Sequence, residues 1–224
     1  VKKLFFCHLP TLSAISTAFC AMALGAATTS SAHTVWIEPK DGRLLLRFAE
    51  PGGSFETAPG RLDGLSAPVA FILVTNAAAS VAAQRESDGF LLAGASPTNT
   101  ACAESVFKVR GGRKPVFYAR WQPPDANGGA PRLTLDIVPT GKPGECRAYF
   151  RGLPLGGAAA TLREPDGTER GLVTDAAGFV RFEAKTAGQY LLTIAHHREP
   201  LAGYYGGEAY KETSHNCSLA WRQP

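Results

Sequence analysis

Methionine is nearly absent from this chain: one residue, Met22, in 224. A thioether-rich site for Cu(I) is therefore excluded. Helical patterning is missing too. No window of about a dozen residues places apolar side chains at i, i+3, i+4 and i+7 while staying free of Gly and Pro, so an α-helical domain is not expected. The usual catalytic signatures are lacking. There is no G-x-S-x-G elbow, no H-E-x-x-H, no phosphate-cradling loop and no C-x-x-C, and the reading is a protein that is not an enzyme. Charge of one sign is lacking as well: 23 basic residues face 19 acidic ones, a formal charge of +4. That is too balanced to point to nucleic acid or an anionic membrane surface. Past the N-terminal stretch no apolar run approaches about 18 residues, so no membrane insertion is expected once that stretch is removed.

The N-terminal stretch is the first positive feature. Val1-Lys2-Lys3 precedes a largely apolar segment that ends in small residues, Ser30-Ser31-Ala32. A basic start, an apolar middle and a small-residue exit describe a cleavable secretion signal over residues 1–32. Cleavage after Ala32 would make His33 the first residue of a periplasmic protein. Cys7 and Cys20 would leave with the signal, and Cys102, Cys146 and Cys217 would remain in a compartment that permits disulfides. Three thiols allow one bridge and one leftover thiol or ligand. Cys146–Cys217 and Cys102–Cys146 are both open.

Gly and Pro punctuate the rest of the chain every 8–12 residues or so, with short β-rich runs between them, which predicts an all-β fold. Thr34-Val35-Trp36-Ile37 and Leu44-Leu45-Leu46-Arg47-Phe48 are joined by a turn at Lys40-Asp41-Gly42. Further runs lie at 69–74, 89–92, 106–109, 115–121 and 133–138. Residues 51–68 read as a long loop. Pro139-Thr140-Gly141-Lys142-Pro143-Gly144 reads as a boundary between two β-sandwich or barrel-like domains, 33–138 and 139–224. The second packs six or seven short strands into about 80 residues, the texture of an immunoglobulin-like or prealbumin-like sandwich.

Ala32-His33-Thr34-Val35-Trp36-Ile37-Glu38-Pro39 resembles the A-H-x-x-W-[IL]-E-P opening of a bacterial exported family. So do Leu133-Thr134-Leu135-Asp136-Ile137-Val138-Pro139, Gly152-Leu153-Pro154-Leu155-Gly156-Gly157-Ala158 and Thr174-Asp175-Ala176-Ala177-Gly178. That family is a domain of unknown function described as the periplasmic component of cobalt or nickel transport. The resemblance implies periplasmic metal handling beside a membrane metal-uptake system. Some members carry G-H-x-F after the second strand. This chain has Ala49-Glu50-Pro51-Gly52-Gly53-Ser54-Phe55 there, so the resemblance brings no histidine ligand from that stretch.

Apart from His8 the histidines are four: His33, His196, His197 and His215. A His33 at the chain terminus offers an α-amine and an imidazole together, a nitrogen chelate suited to Cu(II) or Ni(II). His196 and His197 end a long strand that begins near Gln189, and period two puts His196 on the face of Ile194. His215 opens the last strand. If these two strands form a hairpin, His196 or His197 lies opposite His215, with Cβ atoms about 4.5–5.5 Å apart. The metal site predicted is His33, His196, His197 and His215, for Ni(II), Co(II) or Cu(II). The functional expectation is a periplasmic transition-metal-binding protein serving uptake or delivery. The alternative is a structural or adhesive β-sandwich module that binds a protein or glycan without metal. A copper oxidase or monooxygenase would rest on the terminal chelate alone.

Overall fold

A computed structural model describes Val1 and residues 33–74, 77–124 and 128–224. The secretion signal expected over 1–32 lies outside the described residues, apart from Val1. The described residues from His33 to Pro224 form one compact unit. In chain order the strands are β1 (Thr34–Lys40), β2 (Arg43–Ala49), β3 (Val69–Val74), β4 (Ala77–Val81), β5 (Ala83–Glu86) and β6 (Gly89–Leu92). Then come β7 (Thr100–Val106), β8 (Arg113–Gln122), β9 (Leu135–Pro139), β10 (Glu145–Phe150), β11 (Leu153–Pro154) and β12 (Ala159–Arg163). The last are β13 (Glu169–Val173), β14 (Phe179–Arg181), β15 (Gly188–Glu199), β16 (Gly203–Tyr205), β17 (Glu208–Tyr210) and β18 (Glu212–Gln223). The fold is an all-β sandwich. Its helical content among the described residues is a 3-10 turn at Arg61–Gly64.

The strands build three layers. The middle one is an eight-stranded sheet, β13-β12-β15-β18-β8-β7-β3-β4. Its centre is covered on both faces, and the sequence of β8 shows why. Val116 and Tyr118 enter one core, while Phe117, Ala119 and Trp121 enter the other. Period two sends alternate residues to opposite faces, so a strand apolar at both parities belongs between two layers. On the Phe117 side lies the sheet β1-β2-β6-β5, contributing Val35, Ile37, Leu44, Leu46 and Phe48. On the Tyr118 side lies β11-β10-β14 with β9 paired to β10, contributing Leu135, Ile137, Ala148 and Val180.

The two stretches expected as separate domains, 33–138 and 139–224, share this middle sheet. β18 runs parallel beside β8 from Glu212↔Arg113 to Trp221↔Gln122. The β1–β2 hairpin closes at Asp41 and Gly42, which have φ of 52° and 73°, as the Lys40-Asp41-Gly42 signal predicts. The stretch 51–68 is packed rather than loose. Leu62 and Leu65 are buried in the first core, and the Glu56 amide donates to the Phe48 carbonyl at 2.9 Å.

Candidate functional site

The register of the β1–β2 hairpin decides the first cluster. Thr34 faces Ala49 across the pair, so His33 and Glu50 meet just beyond it. Glu50 Oε1 stands 3.3 Å from His33 Nδ1. The bond from the Glu56 amide to Phe48 brings the packed stretch back over the strand end, and the Glu56 carboxylate bonds His33 Nε2. The imidazole leans on Phe48, ring centroids 5.3 Å apart. Arg61 lies 3.9 Å from Glu56 on the outer side. His33 thus has a carboxylate at each ring nitrogen.

A bulge decides the second cluster. β15 and β18 pair regularly to Ile194↔Cys217, then one extra residue enters β15 and pairing resumes at His197↔His215. The extra residue shifts parity. His197, not His196, therefore shares the face of Ile194, contrary to the plain period-two expectation. His196 takes the strain, with φ of 58°, and its side chain is exposed. Its amide donates to Asn216 Oδ1 at 3.0 Å, and the Asn216 amide in turn donates to the carbonyls of Val116 and Ser214. Asn216 is buried, and its side chain serves the backbone.

His215 is buried between two partners. Its Nδ1 is 3.0 Å from the Tyr118 hydroxyl and its Nε2 is 3.3 Å from Glu199 Oε2. Arg151 Nη2 reaches both oxygens of Glu199, Oε1 at 2.7 Å and Oε2 at 2.9 Å. Phe150 packs against both imidazoles, 4.4 Å from His197 and 5.1 Å from His215. Burial pulls His215 and His197 below the ordinary imidazole value, and the Glu199 carboxylate opposes it in both. His196 is lowered by burial and then by Arg113 and Arg198. Burial, reinforced by Glu104, pushes the Tyr118 phenol up, so it stays a neutral hydroxyl.

The four histidines therefore divide. His33 leans on Phe48 in the core on one face of the middle sheet, and His215 stacks on Tyr118 in the core on the other. His197 joins His215, and His196 is turned outward. Among the described residues, no three His, Cys, Asp or Glu side chains are grouped so as to hold a metal ion as they stand. For His33 the reason is geometric: its two carboxylates lie on opposite sides of one ring.

The cysteines correct an expectation. Cys102, Cys146 and Cys217 are free, buried and packed in the same core, with no disulfide among them. Cys102 lies in β7. Cys146 is in β10 and Cys217 in β18, which pairs with β15 and β8, so the first and last strands of the C-terminal half belong to different sheets. Burial pushes the Cys102 and Cys146 thiols up to about 12, and Cys217 well above its ordinary value. A thiol, not a thiolate, is neither a ready ligand nor a nucleophile. The folded chain is accordingly expected to leave all three untouched by iodoacetamide at pH 8. In denaturant without reductant all three should alkylate. A mass two units low, or a missing adduct, would show a bridge.

Glu50, Glu56, Glu199 and Arg151 are the partners that sequence reasoning misses. Glu199 has a readable signal, being two residues past His197 and so on its face once the strand is carried beyond Ala195. Glu56 has none, since it arrives through the fold of 51–68. No family model matches the chain, and no curated protein matches it. No helix among the described residues is long and apolar enough to cross a membrane.

Proposed function

We propose that this chain is an exported transition-metal-binding protein that takes Ni(II), Co(II) or Cu(II) as cargo in the periplasm, for a membrane uptake system. The observation that carries the reading is His33 with Glu50 at 3.3 Å from Nδ1. Cleavage after Ala32 would supply the α-amine on the same residue, and amine and Nδ1 together close a chelate. The N···O spacing to Glu50 suits a common ion bonded to each at about 2.0–2.2 Å, so the carboxylate adds a third donor. Two nitrogens and one oxygen in a rigid corner favour the later first-row divalent ions. Phe48 behind the ring holds it in place, and Glu56 on Nε2 serves as the outer partner that orients a ligating imidazole.

The experiment is calorimetric titration of the chain beginning at His33 with each of the three ions. A saturable site that requires His33 at the chain terminus is expected. It should be lost in His33→Ala and in a chain carrying one extra residue before His33. Glu50→Gln should weaken it by about 10–100-fold. Absence, for all three ions, of a saturable site that depends on His33 would sink the reading. It would favour the non-enzymatic β-sandwich module that binds a protein or glycan. That second reading draws on one observation, the absence among the described residues of a three-donor group ready to hold an ion.

A further inference from the structure

The end of the middle sheet where β15 meets β18 carries a polar cluster that the His33 centre does not use. From it we infer that His197, His215 and Glu199 form a second, separate divalent-ion site of the two-histidine, one-carboxylate kind. Three independent features converge on these residues. The first is the bulge. The left-handed region strains a non-glycine residue, and His196 is held there by the Asn216 side chain. The result of that strain is to bring His197 opposite His215 and to put Glu199 on the same face. Strained bulges of this kind gather beside functional sites.

The second feature is the outer partner of His215. Its Nδ1 faces the Tyr118 hydroxyl at 3.0 Å. When Nε2 ligates an ion the imidazole proton sits on Nδ1, and the phenol oxygen is placed to accept it. That bond holds the ring with Nε2 toward the ion, as the outer hydrogen-bond partners of metal-bound histidines do. The third is the spacing. His215 Nε2 and Glu199 Oε2 are 3.3 Å apart, a span that one ion bridges with bonds of about 2.0–2.2 Å.

The remaining donor is His197, whose ring centroid is 6.3 Å from that of His215. It is half-buried at a strand position already in register, and a turn of its side chain brings it to the ion. Arg151 pairs with both oxygens of the Glu199 carboxylate and competes with an ion for them. Its side chain is largely exposed, so it can withdraw. Two neutral imidazoles and one carboxylate, with a position left open to solvent, suit Zn(II). Neither the α-amine nor cleavage after Ala32 enters this argument.

The test uses the chain with one extra residue before His33, so that the terminal chelate is blocked, and Zn(II) as the probe. Calorimetry should find one site. His197→Gln and Glu199→Gln, at half-buried positions where folding survives, should each weaken it more than tenfold. His33→Ala should leave it unchanged. Arg151→Ala should tighten it severalfold, because the competitor for Glu199 is gone. Tyr118→Phe should weaken it about 10–100-fold while circular dichroism reports an intact fold. Co(II) in place of Zn(II) should give the intense visible bands of a low-coordinate ion. The inference is overturned by absence of saturable Zn(II) binding, or by binding indifferent to His197 and Glu199. Binding lost with His33→Ala would overturn it as well.

Discussion

Asp136→Ala should lower the stability of the fold by about 3–5 kcal/mol, among the largest effects of any single polar substitution in the chain. Arg120 and Asp136 are both 0% exposed. The guanidinium grips the carboxylate twice, Nε to Oδ1 at 3.0 Å and Nη2 to Oδ2 at 2.6 Å. Asp136 also accepts the amides of Arg132 at 2.7 Å and Leu133 at 3.3 Å. The pair joins β8 in the middle layer to β9 in the third. Removing the carboxylate strands a guanidinium that cannot shed its proton in a dry core, and it orphans two amides. Replacing both partners by apolar residues of similar size, Arg120→Met with Asp136→Leu, should cost far less than Asp136→Ala. Such a swap removes both desolvation penalties along with the attraction. Urea unfolding of the three variants separates these cases. A cost below about 1 kcal/mol for Asp136→Ala would mean that water reaches the pair.

That pair also marks the limit of what the sequence discloses. Period two made most strands legible, and β8 shows its layer directly, because Val116 through Trp121 is apolar at both parities. The face of β18 that holds Cys217 and Leu219 was readable in the same way. Its other face was not. Ser214, Asn216 and Ser218 read as solvent-facing, yet they are buried beneath the first layer, where the Ser218 hydroxyl donates to the Val35 carbonyl at 2.6 Å. Polar residues that satisfy backbone groups of another layer look like surface residues until that layer is placed. The parallel pairing of β18 with β8 joins positions about a hundred residues apart, and no local pattern encodes it. β4 and β5 were missed for a simpler reason: Ala and Gln carry little β signal.

The sites divide along the same line. That His197 or His196 would face His215 followed from strand length and a hairpin. Which of them does so depends on a single bulge residue, and a one-residue slip exchanges the faces. Near His33 the hairpin register fixes Glu50, but Glu56 comes from a stretch with no periodicity at all.

Phe48→Ala joins the core to the His33 cluster, and it should cost about 3–5 kcal/mol. Phe48 is 1% exposed. Its ring meets Phe107 at 5.4 Å and Phe117 at 5.7 Å on the core side, and His33 at 5.3 Å on the other. Its carbonyl accepts the amide that positions Glu56. Truncation therefore opens a cavity under β2 and removes the wall that holds the imidazole, while the backbone bond to Glu56 survives. The loss should be partly reversible by ligand. An ion that binds the folded chain alone stabilises it by about 2.7 kcal/mol at a hundredfold excess over its dissociation constant. Ni(II) at that excess should recover up to about that much in Phe48→Ala beginning at His33. In the same variant with an extra N-terminal residue it should recover almost none. Unfolding curves with and without Ni(II) measure both. Equal recovery in the two chains would place the stabilising ion away from the terminal amine, and recovery in neither would leave Phe48 with a packing role alone.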